Sequence, residues 1–138
     1  MTRLLGIDPG AARCGVAITD SAATLAFPRP ALANDDALIL SIRTLVQEEN
    51  VGGIVVGRPV ALSGNETAST KQADALFQTL VDAFDEIAVT QWDERLTTYE
   101  AQRSLSQAGL KAREHRDHVD SAAAVIMLQN YVDGHHAD

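Results

Sequence analysis

Three carboxylates stand at the ends of apolar runs in this sequence. Asp8 closes "LLGID" and is followed at once by Pro9 and Gly10. Glu94 follows "EIAVTQW", within "WDERLTT", and Asp120 opens the run "VDSAAAVIMLQNYV". Brought together, three carboxylates repel one another unless a hard cation holds them. Magnesium or manganese, which prefer oxygen ligands, is the natural occupant. Each acid also has an ordinary reading. Asp8 before Pro-Gly suits a turn, Glu94 can pair with Arg95 in solvent, and Asp120 can complement a helix dipole. The set of three carries more than any member, provided the fold unites them.

The elements that must do so are legible in outline. "LLGID" and "GVAITD" predict two strands joined by a tight turn from Pro9 to Arg13. "TLAFPRPAL" predicts a third strand, which Pro28 and Pro30 confine to an edge or end. Asn34, Asp35 and Asp36 offer a helix N-cap, and Leu38, Ile39, Ile42, Leu45 and Val46 follow at helical spacing. Gly52 and Gly53 are expected to break that helix. "GIVVG" reads as a buried parallel strand. Ala73, Leu76, Phe77, Leu80, Val81 and Phe84 form the apolar stripe of a second helix. "EIAVTQW" is a further strand. Thr97 and Glu100 have capping-box spacing for a helix to about residue 108. A last helix begins near Asp120, and the tail "DGHHAD" reads as frayed.

The order β-β-β-α-β-α-β-α-α implies an α/β fold, with a mixed sheet and helices on both faces. Ligands of such sheets gather outside the carboxyl ends of the strands. Asp8 and Glu94 meet there if the first and fifth strands are neighbours, and a helix packed on that edge brings Asp120.

Composition narrows the classes. The chain has 138 residues, 46% of them hydrophobic, enough for the core of one domain. No run approaches the roughly 20 apolar residues of a membrane helix. The N-terminus does not read as a signal peptide. Cys14 is the only cysteine, so no internal disulfide forms, and a cytoplasmic location is expected. A net charge of −8 argues against coating nucleic acid by bulk electrostatics, though not against a local basic groove.

Four segments taken together, "GIDPGAARCGVAITD", "GIVVGRPVALSGNE", "WDERLTTYEA" and "VDSAAAVIMLQNYV", resemble the YqgF/RuvX family of ribonuclease H-like nucleases. The match runs in order over nearly the whole chain. That family is described as Holliday junction resolvases and as nucleases maturing pre-16S ribosomal RNA. The resemblance implies a ribonuclease H-like fold, a mixed five-stranded sheet flanked by helices, in one nuclease domain over residues 1–138. It implies that Asp8, Glu94 and Asp120 are the catalytic acids holding Mg2+ or Mn2+. Two such ions about 4 Å apart would clamp a scissile phosphate and activate a water. The chain departs from the family at Pro9, at Ala11 and at "VALSG" after Pro59, changes that could alter substrate choice. Asp117 stands three residues before Asp120. It is either a fourth ligand, as in related RuvC resolvases, or a loop acid paired with Arg116.

Several basic residues could hold nucleic acid. Arg13 follows the first turn and matches the family's arginine there. Arg58 and Lys71 flank "RPVALSGNET", whose glycine and hydroxyls suit backbone contacts with phosphate. Arg95, Arg103, Lys111, Arg113 and Arg116 form the basic-rich stretch of an acidic chain, either a nucleic-acid groove or a solvated face. His115, His118, His135 and His136 lack metal-ligand spacing. Cys14 reads as a small strand residue, and Trp92 as core or rim. The expected function is metal-dependent cleavage of structured RNA or branched DNA, by a monomer or a homodimer. The rival of another class is a catalytically silent nucleic-acid-binding module.

Overall fold

The computed structural model describes residues 2–61, 63–96 and 121–135. These form a five-stranded sheet with helices on both faces. Its strands are β1 (Arg3–Asp8), β2 (Arg13–Thr19), β3 (Ala26–Ala33), β4 (Val51–Arg58) and β5 (Ala88–Asp93). The helices are α1 (Leu38–Glu48), α2 (Ala68–Ala83) and α3 (Ala122–His135), and a single 3-10 turn, Glu94–Leu96, follows β5. The strand order is β3-β2-β1-β4-β5. β1 pairs antiparallel with β2, and β2 with β3, while β4 runs parallel to both β1 and β5. This is the mixed sheet expected from the element order.

Alternation along the strands sorts side chains onto two faces. Leu5, Ile7, Val16, Ile18, Ile54 and Val56 point to one face and pack with Ile42, Leu80 and Phe84 of the α1–α2 layer. Ala17 and Val55 point to the other and pack with Ala124, Val125, Met127 and Leu128 of α3. The first face carries bulky branched residues and two helices. The second carries small ones, so one helix lies close to the sheet.

β3 is an edge strand, one of the two outcomes its prolines allow, and runs through both of them with the ladder on one side only. Elsewhere local details depart from the sequence expectations. The N-cap of α1 is Ala37, whose side chain cannot cap. Asp35 instead closes an Asx turn, its Oδ1 accepting the Ala37 N–H at 3.0 Å. α1 ends before the glycines expected to break it. Asn50 takes the left-handed conformation (φ 54°), and Gly52 and Gly53 lie inside β4. The tail is helical through Gly134 to His135, where the imidazole stacks on Tyr131 at 4.0 Å between ring centroids. The helix expected from Thr97 to about residue 108 and the residues preceding Ser121 lie outside the described residues.

Candidate active site

Asp8 is the last residue of β1, and Glu94 is the first after β5. The expectation that these strands are neighbours is not met, because β4 lies between them. The carboxyls nonetheless come close enough to interact directly. The residue that allows it is Gly57, in the β4 position between them. A Cβ there would lie 3.1 Å from Glu94 Cδ and 3.1 Å from Met127 Sδ. With no side chain at 57, Glu94 crosses β4 beneath α3 and reaches Asp8. Sequence reasoning passed over this glycine, reading it only as the end of an apolar run. Its signal was the pairing of a side-chain-free position with acids at two strand ends.

The pair is electrostatically unusual. Burial, and then the charge of Asp8, push the Glu94 carboxyl up to about 8. Burial also raises Asp8, while its hydrogen bond from Glu94 works the other way. Near neutral pH the two therefore share one proton, carried by Glu94 and donated to Asp8. A divalent cation would replace that proton and cancel the repulsion between two ionised groups. The donor set is oxygen only, which suits Mg2+ or Mn2+. Among the described residues no cluster of three or more His, Cys, Asp or Glu side chains is found. The third expected acid, Asp120, lies outside the described residues, as does Asp117.

The turn after Asp8 is tight. A Cβ at Gly10 would stand 2.3 Å from the Arg13 carbonyl oxygen, so only glycine fits. Cys14, one residue beyond Arg13, is fully buried in the core, and burial raises its thiol. It therefore stays protonated and takes the small-residue role expected of it. Trp92 sits at the rim of the α3 face, edge-on to Tyr131 at 5.6 Å. Pro9 and Gly10 also line a cavity of about 350 Å³ with Leu38, Ile39, Gln72 and Leu76, between α1 and α2.

The expected basic residues divide. Arg13 opens β2 with its side chain exposed, and Lys71 stands exposed in the first turn of α2. Arg58 is held by Asp74 at 2.9 Å and by Glu66 at 3.1 Å. Arg95 grips Asp93 through a 2.6 Å contact, and its guanidinium lies against the loop at Gly64. The loop is fixed by α2, whose N-cap Thr67 and Thr70 bond each other reciprocally, while the Thr70 hydroxyl donates to the Pro59 carbonyl. Arg113 lies outside the described residues.

Comparison with known proteins decides the family. A family model described as "RuvX: Holliday junction resolvase" matches residues 2–134. The chain belongs to the RuvX family. A relative from Anaeromyxobacter sp. (strain Fw109-5), named "Putative pre-16S rRNA nuclease", is 39% identical over 137 residues, 98% of this chain and 99% of its own. One of the same name from Mycobacterium tuberculosis is 41% identical over 133 residues, 95% of this chain and 78% of its own. Among solved structures, T. thermophilus RuvC in complex with a Holliday junction substrate superposes with a TM-score of 0.66 at 16% identity, covering 99% of this chain and 97% of that one. A yeast mitochondrial Holliday junction resolvase gives 0.56 at 13% identity, covering 95% and 78%. The RuvX chain thus has the ribonuclease H-like fold that its motifs imply.

Proposed function

We propose that this RuvX chain is a divalent-metal-dependent nuclease, one domain over residues 1–138, that acts in the cytoplasm on the 5′ end of pre-16S ribosomal RNA. The observation that carries the reading is the Asp8–Glu94 pair. Two half-buried acidic side chains meet at the carboxyl end of the sheet, with one proton between them. Such an arrangement lowers stability unless a cation uses it. The names of the relatives supply the RNA substrate.

A divalent cation bound there supplies Lewis acidity toward a phosphate and lowers the pKa of a water. Asp8 and Glu94 bind as oxygen donors, and Glu94 releases its proton as it does so. Asp120 completes the set. Gly57 leaves the space in which the two carboxyls converge. Arg13, Lys71, Arg95 and Arg113 hold phosphates of the strand on either side. Arg58, already engaged by Asp74 and Glu66, keeps α2 and its loop in register beside them. No helix among the described residues is long and apolar enough to cross a membrane.

The second reading is Holliday junction resolution, favoured by the family description and by likeness to RuvC. Matched cuts across a two-fold junction require a symmetric dimer. Cleavage by the full chain with Mn2+ or Mg2+, on a ribosomal RNA precursor fragment and on a four-way DNA junction, separates the readings. RNA cleavage lost in Asp8→Asn supports processing. Paired symmetric cuts in the junction support resolution. Binding without cleavage of either would overturn the enzyme reading in favour of a silent module.

A further inference from the structure

The turn at Pro9 and Gly10 has the acid pair on one side and the cleft of about 350 Å³ between α1 and α2 on the other. The alternation that turns Ile7 toward α1 and α2 turns Asp8 toward α3, so acids and cleft share an end of the sheet and not a face. They also share a wall. Asn34, in the link from β3 to α1, donates from Nδ2 to the Gly10 carbonyl at 2.7 Å, and its backbone N–H donates to the Ala12 carbonyl at 2.9 Å. The turn that follows Asp8 is thereby tied to the rim of the cleft.

The lining is of two kinds. Pro9, Leu38, Ile39 and Leu76 are buried or half-buried and give an apolar floor. Asn34, Asp35 and Gln72 are exposed and polar and stand at the rim. Apolar walls with a few polar groups suit a small flat ligand, and the volume lies at the lower end of the usual range of roughly 300–1,000 Å³. One nucleobase fits such a space and a duplex does not. The charge is selective as well. Among the described residues no Lys or Arg lines the cleft, and the Asp35 carboxylate there repels a phosphate but accepts from N–H groups. Its Oδ1 takes the Ala37 N–H at 3.0 Å, and both oxygens keep lone pairs for further donors. Among the bases, guanine alone presents two adjacent donors, its N1–H and N2 amino group. Adenine and cytosine set one donor beside an acceptor, and uracil sets its N–H between two carbonyls. The reach is short, since Gly10 is two residues from Asp8 and at most about 7 Å away along the chain. A strand with its phosphate at Asp8 can drop a neighbouring unstacked base over the turn, and unstacked bases are where RNA sequence is read.

We infer that the α1–α2 cleft is a guanine site, which takes one unpaired base of the strand whose phosphate reaches Asp8, with Asp35 accepting from its N1–H and N2 amino group. This rests on the nuclease reading above and adds a base preference to it.

The test is fluorescence anisotropy in EDTA with a short oligouridine RNA carrying one central guanosine, the same RNA with inosine there, and the all-uridine RNA. Inosine lacks only the N2 amino group. The full chain should bind the guanosine RNA about 10-fold tighter than the inosine RNA, and the all-uridine RNA most weakly. Asp35→Asn keeps an acceptor for the Ala37 N–H, and should bring guanosine and inosine level. Ala75→Phe puts a ring into the cleft from an exposed position of α2, and should lower the guanosine RNA to the all-uridine level. Equal binding of guanosine and inosine by the wild type, or an undiminished preference in Asp35→Asn, would overturn the inference. So would guanosine monophosphate competing as well as the guanosine RNA, since the occupant would then be a free nucleotide. Should Ala75→Phe not fold, the Asp35→Asn comparison decides alone. Cleavage with Mn2+, with Asp8→Asn as control, is read separately. Cleavage without guanine preference sinks the cleft site and leaves the nuclease standing. Guanine preference without cleavage supports the cleft and overturns the nuclease.

Discussion

Asp93 and Glu94 are adjacent in the chain and opposite in environment. Asp93 lies among cations. Arg95 grips it and, with a smaller contribution from Arg58, holds its carboxyl below the usual range. Asp74, gripped by Arg58 and bonded by Gln91, is lowered in the same way. Glu94 turns to the other face, where burial and Asp8 push it up to about 8. Both regions stand at the ends of β4 and β5, within a few residues of each other. One is a compensated ion network that holds a loop and a helix. In the other, two acids are set against each other, and the missing side chain at Gly57 leaves the room in which they meet. Two acids set against each other, rather than acidity itself, separate a candidate site from scaffold.

Substitution should break this comparison most strongly at the acids. Asp8→Asn or Glu94→Gln should lower metal-dependent cleavage by more than about 100-fold, while Asp93→Asn stays within a few-fold of wild type. Initial-rate assays on one substrate compare all three. Next in size, Gly57→Ala should weaken Mn2+ binding by about 10-fold, since the methyl meets the Glu94 carboxyl. Met127→Ala added to it frees space on the helix side only and should not restore binding. Restoration would mean that packing of α3, and not the carboxyl, is what Gly57 serves.

The two regions should also bend stability with pH in opposite senses, read from urea midpoints of the metal-free chain. Glu94 has a folded pKa near 8, above its unfolded 4.5, so the folded state binds the extra proton between these values. Stability from this group falls as pH rises through that window, and Glu94→Gln should flatten the fall. Asp74 and Asp93 have folded values below 3.8, so their contribution is present above that pH and fades as pH drops below it. The smallest effect is expected at Arg95. Its pair with Asp93 is partly exposed and screened by solvent, so Arg95→Ala should barely move the urea midpoint. If Arg95 holds a phosphate, KM rises, kcat holds, and the salt dependence of binding drops by about one counterion.

Much of this was legible in the sequence. Alternation and glycine punctuation gave β1, β2 and β4, and the two acids at strand ends were picked out by position. The route by which they meet was not legible. It depends on β4 lying between β1 and β5, a long-range pairing that no local pattern encodes, and on Gly57 falling beside both. Asn50 ended α1 where Gly52 was expected to, because a left-handed residue suffices and the glycines were needed inside a crowded strand. A bulge in β3 at Pro30 and Ala31 was half visible. The prolines marked an edge, but nothing local indicated that Ser121, some 90 residues later, would fill the break by donating to the Arg29 carbonyl.

The most direct test of the central claim is calorimetric titration of Mn2+ into the full chain at pH 7, in two buffers of different ionisation enthalpy. Binding should release about one proton per chain, because the cation displaces the proton shared by Asp8 and Glu94, and Asp8→Asn should lose both affinity and proton release. Equal affinity in Asp8→Asn, or wild-type binding with no proton released, would contradict it.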